Sequence, residues 1–148
     1  MKTPRSAKRA NPEHKLQVEI CRYLAVALPP SIIFTADAAG VPVSIFTASK
    51  MKAAGVRRGW PDIRFLMPDG VTRYIEVKTP TGSLSPEQRD FRDRCLNIRP
   101  PVDIWALCRS VEDVAAALAG WGVELRESMF HPEANAAARA AWKARMAA

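Results

Sequence analysis

The clearest chemical signal in the sequence is a proline-aspartate pair, Pro61-Asp62, followed fourteen residues later by Glu76-Val77-Lys78. Between them, Pro68-Asp69-Gly70 suits a three-residue hairpin loop, with glycine available for the left-handed position. With that loop Met67 faces Val71, and continuing the register places Asp62 opposite Glu76. Alternate residues of a strand share a face. One face then holds Ile63, Phe65, Met67, Val71, Ile75 and Val77, apolar except for Arg73, and belongs on the core. The other carries Asp62, Glu76 and Lys78 at the far end of the hairpin. A bulge in either strand would shift this register by one. Two facing carboxylates repel, and each raises the other's pKa unless a cation lies between them. A divalent ion held by oxygen, Mg²⁺ or Mn²⁺, resolves the conflict. Beside it, Lys78 can hold an attacking water or offset charge building on a phosphate oxygen. While charged it cannot accept a proton. Glu-x-Lys alone is common and also describes a plain surface ion pair; the spacing to Pro-Asp across a hairpin signal is more specific.

The rest of the chain sets bounds on that chemistry. It has 148 residues, 48% hydrophobic and 25% charged, which fits one globular domain and excludes a disordered or fibrous chain. No apolar run approaches the ~18–20 residues that span a bilayer, and the basic start, Met1 to Pro12, lacks the apolar stretch of a secretory signal. The expected compartment is the cytoplasm. A net charge of +7 favours polyanions, nucleic acid above all, although many basic proteins bind none. Cys21, Cys95 and Cys108 are scattered and odd in number, as expected of reduced, buried thiols. His14 and His131 are too isolated for a histidine-rich metal site.

Elements that could position the acids follow from periodicity. Residues 1–11, with Lys2, Arg5, Lys8 and Arg9, read as a flexible basic arm, either tracking phosphates or simply solvated. Asn11 can cap a helix from Pro12 to Leu28, with Leu16, Ile20, Leu24 and Ala27 as its core stripe and Pro29-Pro30 as its stop. Ser31–Thr35 reads as a strand and 36–44 as a loop. A short helix over Ile45–Ala54 ends at Gly55. The two hairpin strands are Asp62–Met67 and Val71–Lys78. Helices over Pro86–Asn97 and Val111–Ala119, the second capped by Ser110, bracket a buried strand at Val102–Cys108. Val123–Leu125 reads as a last edge strand and Pro132–Ala147 as an Ala-rich helix. Strands interleaved with helices indicate an α/β domain on one mixed sheet.

Several stretches together, in order and at similar spacing, resemble the VRR-NUC domain, a branch of the PD-(D/E)xK nuclease superfamily. They are Glu13-His14-Lys15-Leu16-Gln17, Gly59-Trp60-Pro61-Asp62, Ile75-Glu76-Val77-Lys78, Gly82-Ser83-Leu84-Ser85-Pro86-Glu87-Gln88 and Cys108-Arg109-Ser110-Val111-Glu112-Asp113. The resemblance implies a restriction-endonuclease-like core, a mixed central sheet flanked by helices, over residues 12–125. Residues 126–148 would form a C-terminal helical extension. It implies Asp62 and Glu76 as metal-binding acids, Glu13 as the N-terminal acid completing the metal site directly or through water, Lys78 as the catalytic lysine and Gln88 as a glutamine lining the site. Trp60 stands where similar proteins carry a smaller residue, and Ala36–Gly40 lacks an asparagine often found there.

Each assignment has a plainer rival. Glu13 could simply favour the helix dipole, and Glu19 is the other acid on that helix. Ser85-Pro86-Glu87-Gln88 is also a capping box. Lys50, Lys52, Arg57 and Arg58 could clamp phosphates or be ordinary surface charge. Trp105 and Trp121 suit core or edge packing, and Trp142 a partner surface. The expected function is a Mg²⁺- or Mn²⁺-dependent deoxyribonuclease selecting DNA by form rather than sequence, branched DNA included. The expected partners are DNA and a second copy of the chain, with Pro132–Ala148 as a candidate dimer element. The alternative is a non-catalytic DNA-binding or assembly module on the same fold.

Overall fold

A computed structural model describes residues 11–37 and 43–148. The expected basic arm therefore lies outside the described residues except for Asn11, and so does most of the 36–44 loop. Among the described residues nine elements follow in order: α1 (Pro12–Ala27), β1 (Ile33–Ala36), α2 (Ile45–Ala53), β2 (Ile63–Leu66), β3 (Thr72–Val77), α3 (Pro86–Leu96), β4 (Trp105–Cys108), α4 (Val111–Gly120) and α5 (Pro132–Ala147).

Helix starts are set by the side chains read from sequence. Asn11 Oδ1 accepts from His14 N at 3.2 Å, and Ser110 Oγ accepts from Asp113 N at 3.1 Å. Each satisfies an N–H that has no partner in the first turn. The four strands run β1-β2-β3-β4. β2 and β3 pair antiparallel with Ile63 opposite Ile75 and Phe65 opposite Arg73, the register expected from a loop at 68–70. Gly70 supplies φ 78° in that loop and donates to Met67 O at 3.0 Å. β4 adds parallel to β3, a pairing that requires a crossover, and α3 provides it.

The alternation of the hairpin then decides the layers. Ile63, Phe65, Met67, Ile75 and Val77 are buried with Ile20, Tyr23 and Leu24 of α1 and Val114, Ala115 and Leu118 of α4. The opposite face carries Tyr74, whose ring meets Phe91 of α3 edge-on at 5.3 Å. α5 packs on α4, burying Ala134 and Ala138. Its Asn135 Oδ1 accepts the buried Tyr23 hydroxyl at 2.8 Å. Tyr23 was absent from the expected stripe because a tyrosine reads as half-polar until a partner for its hydroxyl is known.

Two expectations are corrected. Val123–Leu125 is not a strand. Gly122, at φ 83°, turns the chain back from α4, and Arg126 N bonds Ala27 O at 2.8 Å. Val123 and Leu125 of this segment are buried and belong to the core cluster. Its apolar alternation records one buried side and no ladder. Trp142, expected on a partner surface, instead packs against the core, with Nε1 donating to Gly122 O at 3.1 Å. No described helix is long and apolar enough to cross a membrane.

Candidate active site

Asp62 immediately precedes β2 and is stitched to the neighbouring strand: its Oδ2 accepts from Val77 N at 2.7 Å. Two flanking features hold it there. Its own carbonyl accepts from Asp37 N, just past β1, at 2.7 Å. Gly59, at φ 87°, brings the Pro-Asp turn so close to the start of α3 that a Cβ would lie 2.5 Å from Glu87 O. Only glycine tolerates both the positive φ and that approach. Trp60, the larger residue at its position, fills the space beside this turn, 4.9 Å from the Phe91 ring and 6.0 Å from that of Tyr74.

Glu76 lies on β3, paired with β2 on one side and β4 on the other, and is only 1% exposed. Oε1 accepts from Gln88 Nε2 at 2.8 Å. Gln88 also closes the α3 capping box: its Oε1 accepts from Ser85 N at 2.8 Å while Ser85 Oγ accepts from Gln88 N at 3.2 Å. One side chain thus fixes the helix start and orients the acid. Lys78 Nζ stands 3.8 Å from Glu76 Oε1 and 3.8 Å from Glu13 Oε2, so α1 delivers Glu13 to the same place. Glu19 is turned elsewhere, to His131 at 2.6 Å.

The electrostatics of this pair are unbalanced. Glu76 Oε2 is buried, and among the described residues no group donates to it. Burial, then the charge and contact of Asp62, push the Glu76 carboxyl up to about 9, against the opposing pull of Lys78. Burial also raises Asp62, although the Val77 N–H, Glu76 and Lys78 pull it down. Near neutrality the pair is completed either by a retained proton or by a cation. That donor set fits a divalent ion, since Mg²⁺ is commonly held by one or two carboxylates with water and phosphate oxygens completing its shell. Among the described residues no three His, Cys, Asp or Glu side chains gather as a ligand cluster. Glu13 meets the site as the partner of Lys78.

The five residues expected at the site, Glu13, Asp62, Glu76, Lys78 and Gln88, are therefore brought together. Lys50, Lys52, Arg57 and Arg58 are not: all four are exposed on or just after α2, and Arg57 Nη1 donates to Lys52 O at 3.2 Å. Sequence reasoning missed Arg109, whose Nη1 donates to Thr79 O at 2.6 Å and Gly82 O at 2.7 Å. It pins the loop leaving Lys78 to the end of β4. Its signals were its place directly after a strand and inside the Cys108–Asp113 stretch that resembles the family, and nothing local says which loop it meets.

A search of curated proteins finds no match. A solved structure described as a VRR_NUC domain is 20% identical with a TM-score of 0.46, the alignment covering 75% of this chain and 97% of that one. The VRR-NUC domain family matches residues 5–111, which contain all five clustered residues and all four strands of the described sheet. The chain belongs to the VRR-NUC domain family, a family of nuclease-type domains.

Proposed function

We propose that the protein is a metal-dependent deoxyribonuclease that hydrolyses phosphodiester bonds, selecting DNA by its form. The observation that carries this reading is the buried Glu76 facing the half-buried Asp62, with no donor to its Oε2 among the described residues and the Lys78 ammonium 3.8 Å from its other oxygen. A module that only binds DNA has no use for such a conflict, which lowers its stability.

Asp62 and Glu76 would hold Mg²⁺ or Mn²⁺, with Glu13 completing the set directly or through water. When bound, the ion lowers the pKa of a water and offsets charge on the scissile phosphate. The chain's own residues do the rest. Gln88 keeps the Glu76 carboxylate turned toward Asp62. The Val77 N–H fixes Oδ2 of Asp62. Lys78 orients the attacking water and stabilises charge growing on a phosphate oxygen. Glu13 steadies the Lys78 side chain through the 3.8 Å ion pair. Lys50, Lys52, Arg57 and Arg58, with the basic N-terminal residues, supply salt-dependent affinity for the backbone.

Cutting both strands symmetrically requires two sites, and a twofold homodimer supplies them. The inner face of α5 is taken up by α4 and by Tyr23, so its outer face, with Met146, is what a second copy would meet. Sedimentation showing only monomer at working concentration removes this part of the reading. The central test incubates single-stranded, duplex and four-way-junction DNA with EDTA, Mg²⁺ or Mn²⁺. Cleavage should require the ion and vanish in Asp62→Asn while DNA binding persists; equal products in EDTA overturn the reading.

A further inference from the structure

The excursion between β1 and β2 starts and ends at the acid pair. It leaves the sheet at Asp37 and returns at Asp62, and the two are tied by a 2.7 Å backbone hydrogen bond. Its helix, α2, buries no residue. Ile45 and Phe46, in its first turn, are 84% and 82% exposed. Ser44 caps that turn through Thr47 N at 3.2 Å, so the two apolar side chains stand on a fixed helix start. A nine-residue helix has little stability alone. Large exposed apolar groups on one mark a contact surface.

Charge decides what the contact is. From Val43 to Pro61 the segment carries Lys50, Lys52, Arg57 and Arg58 and no aspartate or glutamate. A twofold contact between two copies would set these like charges against each other. DNA offers phosphates to the cations and base faces to the apolar tip. Intact duplex resists a wedge, because a stacked step must first be opened. A nick, a fork or a frayed end already presents an open step.

We propose that Phe46, supported by Ile45, is a stacking wedge that seats on an open base step while Lys50, Lys52 and Arg57 hold the flanking phosphates. The protein thereby favours DNA with interrupted stacking. The proposal rests on the nuclease reading and names what directs that site.

The test uses the full chain in EDTA with forked and intact duplexes carrying 2-aminopurine at the fork or at a paired position. The wild type should change the fluorescence of the fork probe alone and prefer the fork. Phe46→Ala should lose that signal and reduce the preference about tenfold, as expected for one stacked base. Phe46→Trp should restore both. Because Phe46 is exposed, circular dichroism should show both variants folded. Wild-type signal and preference in Phe46→Ala overturn the wedge. So does conversion of a dimer to a monomer by that substitution, which assigns the patch to a second copy. A fork signal without Mg²⁺-dependent cleavage supports the wedge and overturns the nuclease reading alone.

Discussion

The β2–β3 hairpin buries a charged residue at each end and treats the two oppositely. At the turn end, Arg73 is 9% exposed, yet its charge is met: Nη1 bonds Asp69 Oδ2 at 3.0 Å and Nε bonds Asp103 O at 3.2 Å. Its guanidinium also lies 6.0 Å from the centre of the Trp121 ring. At the other end, Glu76 is more deeply buried and faces another acid, with one oxygen lacking any donor. The same hairpin thus has a settled ion pair at one end and an unsettled pair of acids at the other. The lesson is that burial of charge alone does not mark a site. What marks it is buried charge that the fold leaves for something else to satisfy.

Substitutions at the two ends should separate along that line. The largest effect is expected at the acid end: Asp62→Asn and Lys78→Ala should each lower the cleavage rate by about 10²–10³-fold or more, with the melting temperature of the metal-free protein unchanged or raised. A large loss of stability in Asp62→Asn would mean that the acid is structural. At the turn end the outcomes should swap. Arg73→Met should cost about 1–3 kcal/mol in denaturant titration, and the folded fraction should cut DNA at the wild-type rate.

Acidity distinguishes the ends as well. The folded-state pKa of Glu76 stands far above its unfolded value, so the folded protein holds the extra proton. Stability of the metal-free protein from this group should therefore fall as pH rises from the ordinary carboxylate range toward about 9. Over the same range a divalent ion displaces a proton, and Mn²⁺ affinity by calorimetry should tighten by up to about tenfold per pH unit. At the turn end, Asp69 is held below its usual range, first by the Val71 N–H and then by Arg73. Its contribution is present above the ordinary carboxylate pKa and is lost as pH falls through the lowered value. Mn²⁺ affinity that stays flat between pH 6 and 9 would show that the acid pair is not the ion's site. The smallest effect is expected of Gln88→Ala. It removes one half of the capping box, for about 1 kcal/mol of stability, and lets the Glu76 carboxylate turn, for a loss in rate of about tenfold. Equal stability and rate would leave Gln88 no role at the site.

Contiguous spacing determined a good deal of this protein. The starts of α1, α3 and α4 follow from Asn11, Ser85 and Ser110, because a cap bonds an N–H only a few residues away. The hairpin register follows from Pro68-Asp69-Gly70 and a period of two, so that Asp62 and Glu76 could be set opposite each other before any fold was known. The same local logic failed at Val123–Leu125, where alternation meant one buried side and not a strand. It failed again at Trp142, since nothing nearby in sequence announces Gly122 as its acceptor. Tertiary structure alone decided the state of the site. β4 closes over the open edge of β3 and buries Glu76; α1 carries Glu13 to Lys78; Arg109 ties down the loop beyond it. Local hydrogen bonds and periodicity act within a few residues and can be read in order. Burial, and the pKa it shifts, depends on which distant segments pack together, and so it arises only in the folded chain.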